Sequence, residues 1–311
     1  MIAQDIAGDL GVDAGEVALI ARTANKRYKR YRIAKRTGGW RTIDHPSQEL
    51  KYIQEWINEK ILSQLPVHPA VYSYRAGIGI DDHARQHSRS AFLLRADFVN
   101  FFPSISRQSV RRLLQQNRDR IGYEINSNDI NLICSLVCKD DRLTIGAPTS
   151  PALSNAILYE FDRFWFDAAK ELEVKYTRYA DDLYFSTKVP NTLAGLLVRL
   201  RADLRNREVP RLKLNEKKTI FTSRKTRRLV TGIVITPEAK ISIGRERKRY
   251  VKGLIHRYLL GFLKNGEFEY LRGMLSYINS VEPTFIRALE KKYNKSTIMG
   301  IRKGASVARI E

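Results

Sequence analysis

The stretch Thr177-Arg178-Tyr179-Ala180-Asp181-Asp182 sets two adjacent acids between segments that alternate as β-strands do. The alternation in Tyr176 to Tyr179 and in Leu183 to Ser186 predicts two strands joined tightly at Asp181-Asp182. Adjacent acids are also favourable turn formers, so the pair alone indicates only a turn. The surrounding sequence decides whether these carboxylates carry chemistry.

A third acid, Asp97, stands upstream at the end of the predicted buried strand Ala91 to Ala96. Strand ends that meet across a sheet can bring Asp97, Asp181 and Asp182 into one small volume, where their repulsion would be costly without cations. Two Mg²⁺ ions roughly 3.5 to 4 Å apart would relieve that repulsion and support in-line phosphoryl transfer. The three acids therefore point to a two-metal site.

The charge of the chain points to a polyanionic partner. Its 311 residues carry 55 Lys and Arg against 33 Asp and Glu, a net charge of +22, with the 43% hydrophobic content of a globular protein. Such an excess favours nucleic acid ahead of an acidic membrane surface. Residues 22–41 hold nine Lys or Arg and no acid, interleaved with Tyr28, Tyr31 and Trp40. This composition favours contact with nucleic acid or a triphosphate, and a solvated basic face is the alternative.

The remaining pattern predicts a mixed α and β chain. Gly38-Gly39 divides Tyr31 to Ala34 from Trp40 to Ile43, which predicts a hairpin with Lys35 and Arg36 at its tip. Further elements are predicted as helices at Glu49 to Leu65, Asp129 to Cys138, Ser150 to Leu172 and Thr192 to Arg205, strands near Ile220, at Val230 to Ile235 and at Lys240 to Ile243, and three helices after Arg245.

The two cysteines and the composition of the N-terminal segment bear on redox state and cellular compartment. Cys134 and Cys138 lie in an apolar stretch without a second pair, so we expect reduced core residues and not a zinc site. The first twenty residues contain four acids and no Lys or Arg, unlike a secretory leader, and no apolar run is long enough to span a bilayer. We expect a cytoplasmic protein with no membrane partner.

Several segments together resemble the reverse transcriptases. Thr177 to Asp182 and Asp97-Phe98-Val99-Asn100-Phe101-Phe102-Pro103-Ser104 are similar to the two catalytic segments of that family. Further matches in family order are Arg41-Thr42-Ile43, Ser73-Tyr74-Arg75-Ala76-Gly77, Gly146-Ala147-Pro148-Thr149-Ser150-Pro151, Asn215-Glu216-Lys217-Lys218-Thr219 and Val230-Thr231-Gly232. The last of these makes the chain look most like a bacterial retron enzyme.

The resemblance implies an α+β right-hand polymerase fold with fingers, palm and thumb. Its palm would be an antiparallel sheet that carries the catalytic Asp residues and is backed by helices. The implied segments are N-terminal helices and fingers at 1–91, palm with an interleaved fingers segment at 92–235, and the palm end with a helical, RNA-binding thumb at 236–311.

The resemblance also implies residue roles. Asp97 and Asp181 would bind both Mg²⁺ ions with Asp182 assisting, and Lys218 would protonate the departing pyrophosphate, with electrostatic steering as the alternative. Phe102 would exclude a ribose 2′-hydroxyl and so favour deoxynucleoside triphosphates as substrates. Further nucleotide-binding residues would be Lys35, Arg41, Phe98, Gly146, Ala147 and Pro148.

Two positions depart from the family pattern. His83 stands in His83-Ala84-Arg85-Gln86-His87 where retron enzymes carry Asn, and we expect a structural hydrogen-bonding role for it in preference to metal binding. Ile145 stands where many relatives have Gln, so we expect altered fidelity or nucleotide affinity with activity retained.

A retron enzyme would bind a structured noncoding RNA encoded beside it, and the DNA copied from that RNA. Priming from an RNA 2′-hydroxyl would leave branched RNA–DNA. The expected role is antiphage defence with a toxin or effector protein as a further partner. Candidate RNA contacts are Arg245, Arg247, Lys248, Arg249, Lys252 and Arg257, with a merely solvated helix face as the alternative.

Two other functions stay open at this point. One is a different bacterial defence enzyme or a group II intron-like reverse transcriptase that uses another primer. The other is a catalytically silent RNA-binding scaffold built on a polymerase fold. The retained acids Asp97, Asp181 and Asp182 argue against the scaffold.

Overall fold

The computed structural model describes residues 2–35, 38–264 and 266–304. Its helices are α1 (Ile2–Leu10), α2 (Ala14–Thr23), α3 (Gln48–Lys60), α4 (Ile80–His87), α5 (Phe101–Ser104), α6 (Arg107–Gln116), α7 (Ser127–Val137), α8 (Thr149–Ile157), α9 (Tyr159–Glu171), α10 (Thr192–Asn206), α11 (Arg245–Leu259), α12 (Glu267–Val281), α13 (Pro283–Tyr293) and α14 (Lys295–Lys303). Its strands are β1 (Tyr28–Ala34), β2 (Trp40–Pro46), β3 (Phe92–Asp97), β4 (Lys175–Tyr179), β5 (Asp182–Thr187), β6 (Ile220–Ser223), β7 (Arg228–Val230), β8 (Ile233–Ile235) and β9 (Ile241–Ser242).

The chain divides into two compact units. The first, called unit 1 below, contains Met1–Ala76, Leu94–Phe185 and Val189–Phe221. The second, unit 2, contains Gly77–Leu93, Ser186–Lys188 and Thr222–Glu311. None of the helices in the described ranges combines the length and the apolar character that a bilayer-spanning segment needs.

The predicted basic hairpin is confirmed and is longer than expected. β1 and β2 pair antiparallel from Tyr28 opposite Pro46 to Ala34 opposite Trp40. Arg36, predicted at the tip, lies outside the described residues. The helix predicted at Glu49 to Leu65 ends earlier, at Lys60.

A four-stranded sheet in the order β4-β5-β3-β6 carries the predicted acids. β3 and β5 run antiparallel, because the Ala91 nitrogen donates to the Thr187 carbonyl (2.9 Å) while the Phe98 nitrogen donates to the Asp181 carbonyl (3.1 Å). The middle residues of β5 are buried, as expected for a strand covered by helices.

The prediction of one helix from Ser150 to Leu172 is wrong. The chain bends at Leu158 (φ −89°, ψ 7°), which separates α8 from α9. Leu158 is buried at 1% exposure, so it fits the apolar pattern of both helices. A periodic pattern that continues across a bend cannot reveal the bend.

Cys134 lies in α7 and Cys138 directly follows that helix. Both are free and buried, as predicted. Burial raises the pKa of the Cys134 thiol to about 11 and that of Cys138 to about 12. Neither thiol is therefore a nucleophile at neutral pH.

Two further expectations are corrected in unit 2. The strand predicted from Val230 to Ile235 is the hairpin of β7 and β8, because Thr231 and Gly232 form a two-residue turn with φ of 47° and 80°. β9 completes this three-stranded sheet. The tail contains four helices instead of three, because Asn294 at φ 69° separates α13 from α14.

Candidate active site

Two of the predicted acids meet at one end of the four-stranded sheet. Asp97 is the last residue of β3 and is only 2% exposed. The next nitrogen, that of Phe98, donates to the Asp181 carbonyl at 3.1 Å. The main chain therefore brings Asp97 and Asp181 side by side although they lie far apart in the sequence.

The turn between β4 and β5 lies one residue earlier than predicted. Ala180 and Asp181 form it, and Asp182 is the first residue of β5. Ala180 has a left-handed backbone (φ 54°), which is unfavourable for a residue with a Cβ atom. The Ser73 hydroxyl accepts from the Ala180 nitrogen at 2.8 Å, and Arg178 donates to the Ala180 carbonyl at 3.2 Å. These contacts, which lie outside the local sequence pattern, hold the turn.

A buried ion pair between Arg178 and Asp162 stabilises this turn. The Arg178 guanidinium donates to both Asp162 carboxylate oxygens at 2.8 and 2.6 Å, and both side chains are 0% exposed. Arg178 also donates to Asn155 (3.2 Å), and the Tyr176 hydroxyl donates to Asp162 (2.7 Å). Sequence reasoning missed this network, although a charged residue within the quoted stretch Thr177 to Asp182 was a signal for it.

Lys218 contacts the first acid directly. Its Nζ atom lies 3.0 and 2.9 Å from the two carboxylate oxygens of Asp97. The position of this lysine is fixed by the chain before it, because the Asn215 nitrogen donates to the Asp97 carbonyl at 2.7 Å. The side chain of Lys218 is 55% exposed, so its ammonium can also reach a bound ligand.

Asp182 has a different neighbour. Arg95 donates to both of its oxygens in a bidentate pair, with distances from 2.9 to 3.0 Å. Sequence reasoning missed Arg95, although it stands two residues before Asp97 and therefore shares its face of the strand. The structure thus brings Asp97 and Asp181 together and pairs Asp182 with Arg95.

The electrostatics reflect burial and mutual repulsion. Burial raises the pKa of Asp181, the nearby carboxylate of Asp97 raises it further, and Lys218 and Arg41 oppose the shift. Burial raises the pKa of Asp182 to about 6, although Arg95 opposes that shift. Carboxylates crowded in this way favour a cationic ligand.

The residues present fit a divalent ion. Among the residues that the structure describes, no three His, Cys, Asp or Glu side chains gather closely enough to hold an ion by themselves. Asp97 and Asp181 nevertheless supply the hard oxygen donors that Mg²⁺ prefers, and Asp97 raises the pKa of its neighbour Asp181. These two carboxylates are the residues that would hold metal here.

The predicted loop at Gly146 packs against the basic hairpin. The Asp44 nitrogen donates to the Ile145 carbonyl at 2.9 Å. Gly146 has φ 119°, and a Cβ atom there would lie 2.6 Å from the Asp44 carbonyl oxygen, so only glycine fits. Ala147 is buried, and the Pro148 carbonyl accepts from Asn58. The position of Ile145 therefore contributes a main-chain contact that any residue could make.

Three phenylalanines follow Asp97 and differ in exposure. Phe98 is 2% exposed and stacks on Phe101, so any part it plays in nucleotide binding is limited to its main chain. Phe101 is also buried, whereas Phe102 is half-buried at the start of α5. Phe102 is thus the one of these three rings with accessible surface.

Arg41 and Tyr74 lie near Asp181. Arg41 is exposed on β2 and lowers the pKa of Asp181, which places its charge close to the acids. Tyr74, missed as a site residue, is 54% exposed with φ 58° next to the anchoring Ser73. Burial and the charge of Asp181 raise the pKa of its hydroxyl. Lys35 is exposed and directly follows β1, and its main-chain nitrogen donates to the Gly39 carbonyl.

The predicted RNA contacts on α11 fall into two groups. Arg247, Lys248 and Arg257 contact groups within unit 2: the Gly232 carbonyl (2.9 Å), Glu282 (2.5 Å) and Glu267 (2.6 Å), respectively. Arg245, Arg249 and Lys252 are exposed. Their spacing of four and three residues puts them on one face of the helix, called the α11 stripe below.

His83 and His87 are buried on α4 with ring centroids 5.6 Å apart. His87 exchanges a hydrogen bond with the Ser186 hydroxyl at 2.7 Å. Burial lowers the pKa of His83 to about 3, so this imidazole is neutral at physiological pH.

Comparison with known proteins identifies the class. Residues 33–271 match the family model described as "Reverse transcriptase (RNA-dependent DNA polymerase)". The chain is 36% identical to the retron Ec83 reverse transcriptase of Escherichia coli, over 93% of each chain. It is 34% identical to the retron Ec86 reverse transcriptase of Escherichia coli, over 90% of this chain and 87% of that one.

The chain therefore belongs to the reverse transcriptases, which are RNA-directed DNA polymerases. Within that class it belongs to the retron reverse transcriptases. Membership confirms the predicted right-hand polymerase fold and the enzymatic activity. Among solved structures, a foamy viral protease-reverse transcriptase is 14% identical over 89% of this chain and 44% of that one, with a TM-score of 0.48. The assignment rests on the family match and the sequence relatives.

Proposed function

We propose that this enzyme copies part of a structured noncoding RNA into DNA, starting from an RNA 2′-hydroxyl and leaving branched RNA–DNA. The observation that carries the catalytic part is the main-chain bond that joins Phe98 to Asp181, because it sets Asp97 beside Asp181. The retron relatives support the priming and the partner, a cognate noncoding RNA with its DNA product. The proposal extends to antiphage defence with a toxin or effector protein, and to the cytoplasm as its location.

Residues of unit 1 supply the proposed chemistry. Asp97 and Asp181 would hold two Mg²⁺ ions, whose charge would lower the pKa of the attacking hydroxyl and stabilise the negative charge of the leaving pyrophosphate. Lys218, already beside Asp97, would give a proton from Nζ to the departing pyrophosphate oxygen. Asp182 would assist through its negative charge while Arg95 holds it in place.

Substrate selection would come from groups around these acids. Arg41 would attract the triphosphate, and Lys35 on the same hairpin would add charge. The Gly146-Ala147-Pro148 loop and the main chain of Phe98, which bonds to Asp181, would position the template and the incoming nucleotide. The accessible ring of Phe102 would exclude a 2′-hydroxyl and so select deoxynucleotides.

We propose residues 1–91 as N-terminal helices and fingers, 92–235 as the palm with an interleaved fingers segment, and 236–311 as the palm end and the thumb. In the last of these, the α11 stripe would follow RNA phosphates, because its cations are exposed and share one face. Tyr250, 50% exposed on the same helix, would stack on an unpaired base. Arg247, Lys248 and Arg257 would shape this surface through their partners within unit 2.

The test is the covalent structure of nucleic acid that co-purifies with the protein. We expect DNA whose 5′ end stays attached to an RNA nucleotide after RNase treatment, and which a 2′–5′ debranching enzyme releases. DNA with a free 5′ end, or joined through a 3′ linkage, would contradict 2′-hydroxyl priming and favour an intron-like or other defence enzyme.

A matched variant separates synthesis from RNA binding. Asp181→Ala with Asp182→Ala should abolish the DNA while the co-purifying RNA remains. Loss of the RNA as well would show that the acids serve folding, and undiminished DNA would refute the proposed metal ligands. The melting temperature of the variant provides the folding control.

A further inference from the structure

A cationic cavity lies in unit 1 apart from the predicted site residues. It has a volume of about 590 Å³ and lies between the end of α10 and the segment 211–216. Leu204 and Leu212 line it and are buried, and Leu214 adds further apolar surface. This volume lies in the range of small-molecule sites, which hold a ligand the size of one nucleotide.

Some of the charges around the cavity are already balanced. Arg201 makes a bidentate pair with Glu216 (3.0 and 2.5 Å). Arg207 pairs with Asp203 at 2.8 Å and lies 5.2 Å above the ring of Phe161. These pairs fix the walls of the cavity and leave little of their own charge for a ligand.

Three other cations belong to the lining of the cavity. Arg205, Arg211 and Lys213 are exposed, and none of them makes a salt bridge within residues 2–35, 38–264 and 266–304. Glu208 is the remaining acid of the lining. Glu208 offsets one of these three cations, so the lining keeps an excess of positive charge beside its apolar floor, which an anion would balance.

One wall of the cavity is formed by a segment that hydrogen-bonds to the chain at Asp97 and just after it. The Lys213 carbonyl accepts from the Val99 nitrogen at 2.9 Å, and the Asn215 nitrogen donates to the Asp97 carbonyl at 2.7 Å. A ligand in the cavity would therefore contact the segment that leads directly to Lys218. The site is distinct from the acids and is connected to them by only a few residues.

We propose that this cavity binds a nucleotide unit of a nucleic-acid strand. Its phosphates would lie against Arg205, Arg211 and Lys213, and its base against the leucine floor. A strand is favoured because the cavity opens to solvent and template, primer and product are all strands. A free nucleoside triphosphate offers the same phosphate chemistry and is distinguished by the test. The proposal does not depend on how DNA synthesis is primed.

The experiment measures binding of a fluorescent single-stranded oligonucleotide to the full chain across a salt series. The variant is Arg205→Gln, Arg211→Gln and Lys213→Gln together. Log K falls as log salt rises, and each phosphate contact on a single strand makes this fall steeper by about 0.7. The loss of three phosphate contacts should therefore make the slope shallower by about 2. At 0.1 M salt, affinity should fall roughly 10- to 100-fold.

A matched control carries the same charge change elsewhere on unit 1. Arg112→Gln, Arg120→Gln and Lys170→Gln remove two Arg and one Lys from exposed positions outside the cavity lining. This control should keep its slope and affinity within twofold. A second variant, Arg205→Gln with Arg211→Gln, keeps Lys213, whose carbonyl accepts from Val99. It should give about two thirds of the change in salt slope that the triple variant gives.

A second arm uses a fluorescent ATP analogue without an oligonucleotide. Selective loss of oligonucleotide binding in the cavity variant supports the strand, and selective loss of ATP binding supports the same phosphate site with a free nucleotide. Binding of both probes within twofold of the unaltered protein would overturn the proposal, as would an equal loss in the matched control. A 4-thiouridine strand should also crosslink within residues 201–216, and crosslinks confined to other segments would refute the site.

Discussion

The ammonium of Lys218 lies 3.0 and 2.9 Å from the two carboxylate oxygens of Asp97. The residue proposed to protonate pyrophosphate thus neutralises a proposed metal ligand. Because Lys218 contacts both oxygens of Asp97, its ammonium and a divalent ion should compete for that carboxylate. This relationship connects metal binding to the protonation step.

Lys218→Met should slow DNA synthesis about 100-fold or more in single-turnover reactions, which is the contribution expected of a general acid. The affinity for the incoming nucleotide should change only a few-fold. Lys217→Met, on the same exposed turn, is the matched control and should have little effect. If nucleotide affinity falls in proportion to rate and high salt removes the difference, Lys218 acts by electrostatic steering instead. The variant should also bind Mg²⁺ more tightly in a direct binding measurement.

Phe102→Ala should raise the incorporation of ribonucleotides relative to deoxynucleotides by roughly tenfold or more, because a smaller side chain leaves room for a 2′-hydroxyl. Competition between the two nucleotides on one primer measures the ratio. Val99→Ala is the control, since Val99 is 39% exposed in the same loop. Unchanged sugar selectivity in Phe102→Ala would remove this residue from the nucleotide site.

Asp162→Asn should destabilise the protein by about 3–5 kcal/mol, because it leaves the buried Arg178 charge without its partner. Urea unfolding of the purified variant measures this loss. Asp162→Leu combined with Arg178→Met removes both charges and should recover most of the stability. A double variant as unstable as the single one would mean that packing, and not the buried charge, dominates here.

His83 should make the protein sensitive to acid. Burial lowers its pKa to about 3 in the folded state, below the ordinary value of 6.5, so the unfolded chain binds more protons between these values. Its contribution to stability is therefore complete above about pH 6.5 and is lost as the pH falls toward 3.

His83→Asn should flatten this dependence by at most about 1.4 kcal/mol per pH unit. Urea unfolding at pH 7.5, 6 and 5 gives the slopes. His256→Asn, at an exposed position, is the control and should keep the slope of the unaltered protein. Equal slopes for His83→Asn and the unaltered protein would place the acid sensitivity elsewhere.

Local patterns predicted the elements that carry the acids. The end of β3 at Asp97, the two strands around Asp181 and the basic hairpin all follow from alternation and turn residues. The bend at Leu158 escaped prediction because the apolar periodicity continues through it. The turn at Ala180 escaped because Ser73, distant in the sequence, supplies the hydrogen bond that holds it.

The side chains that pair with the acids could not be predicted from the sequence either. Nothing in the sequence states that Arg95 pairs with Asp182, or that Arg178 pairs with Asp162 under the turn. These contacts join residues of different elements, and their geometry depends on how the elements pack. The basic composition of α11 likewise did not reveal which of its cations bond to acidic or main-chain groups of unit 2 and which form the α11 stripe.

The hydrogen bonds of Lys213 with Val99 and of Asn215 with Asp97 fix the length of the chain that leads to Lys218. A residue inserted or deleted between Lys213 and Lys218 would shift the ammonium away from Asp97 while leaving every named side chain intact. Natural length variation should therefore be rejected between Lys213 and Lys218. A single-codon deletion at this point would produce a folded enzyme that cannot synthesise DNA.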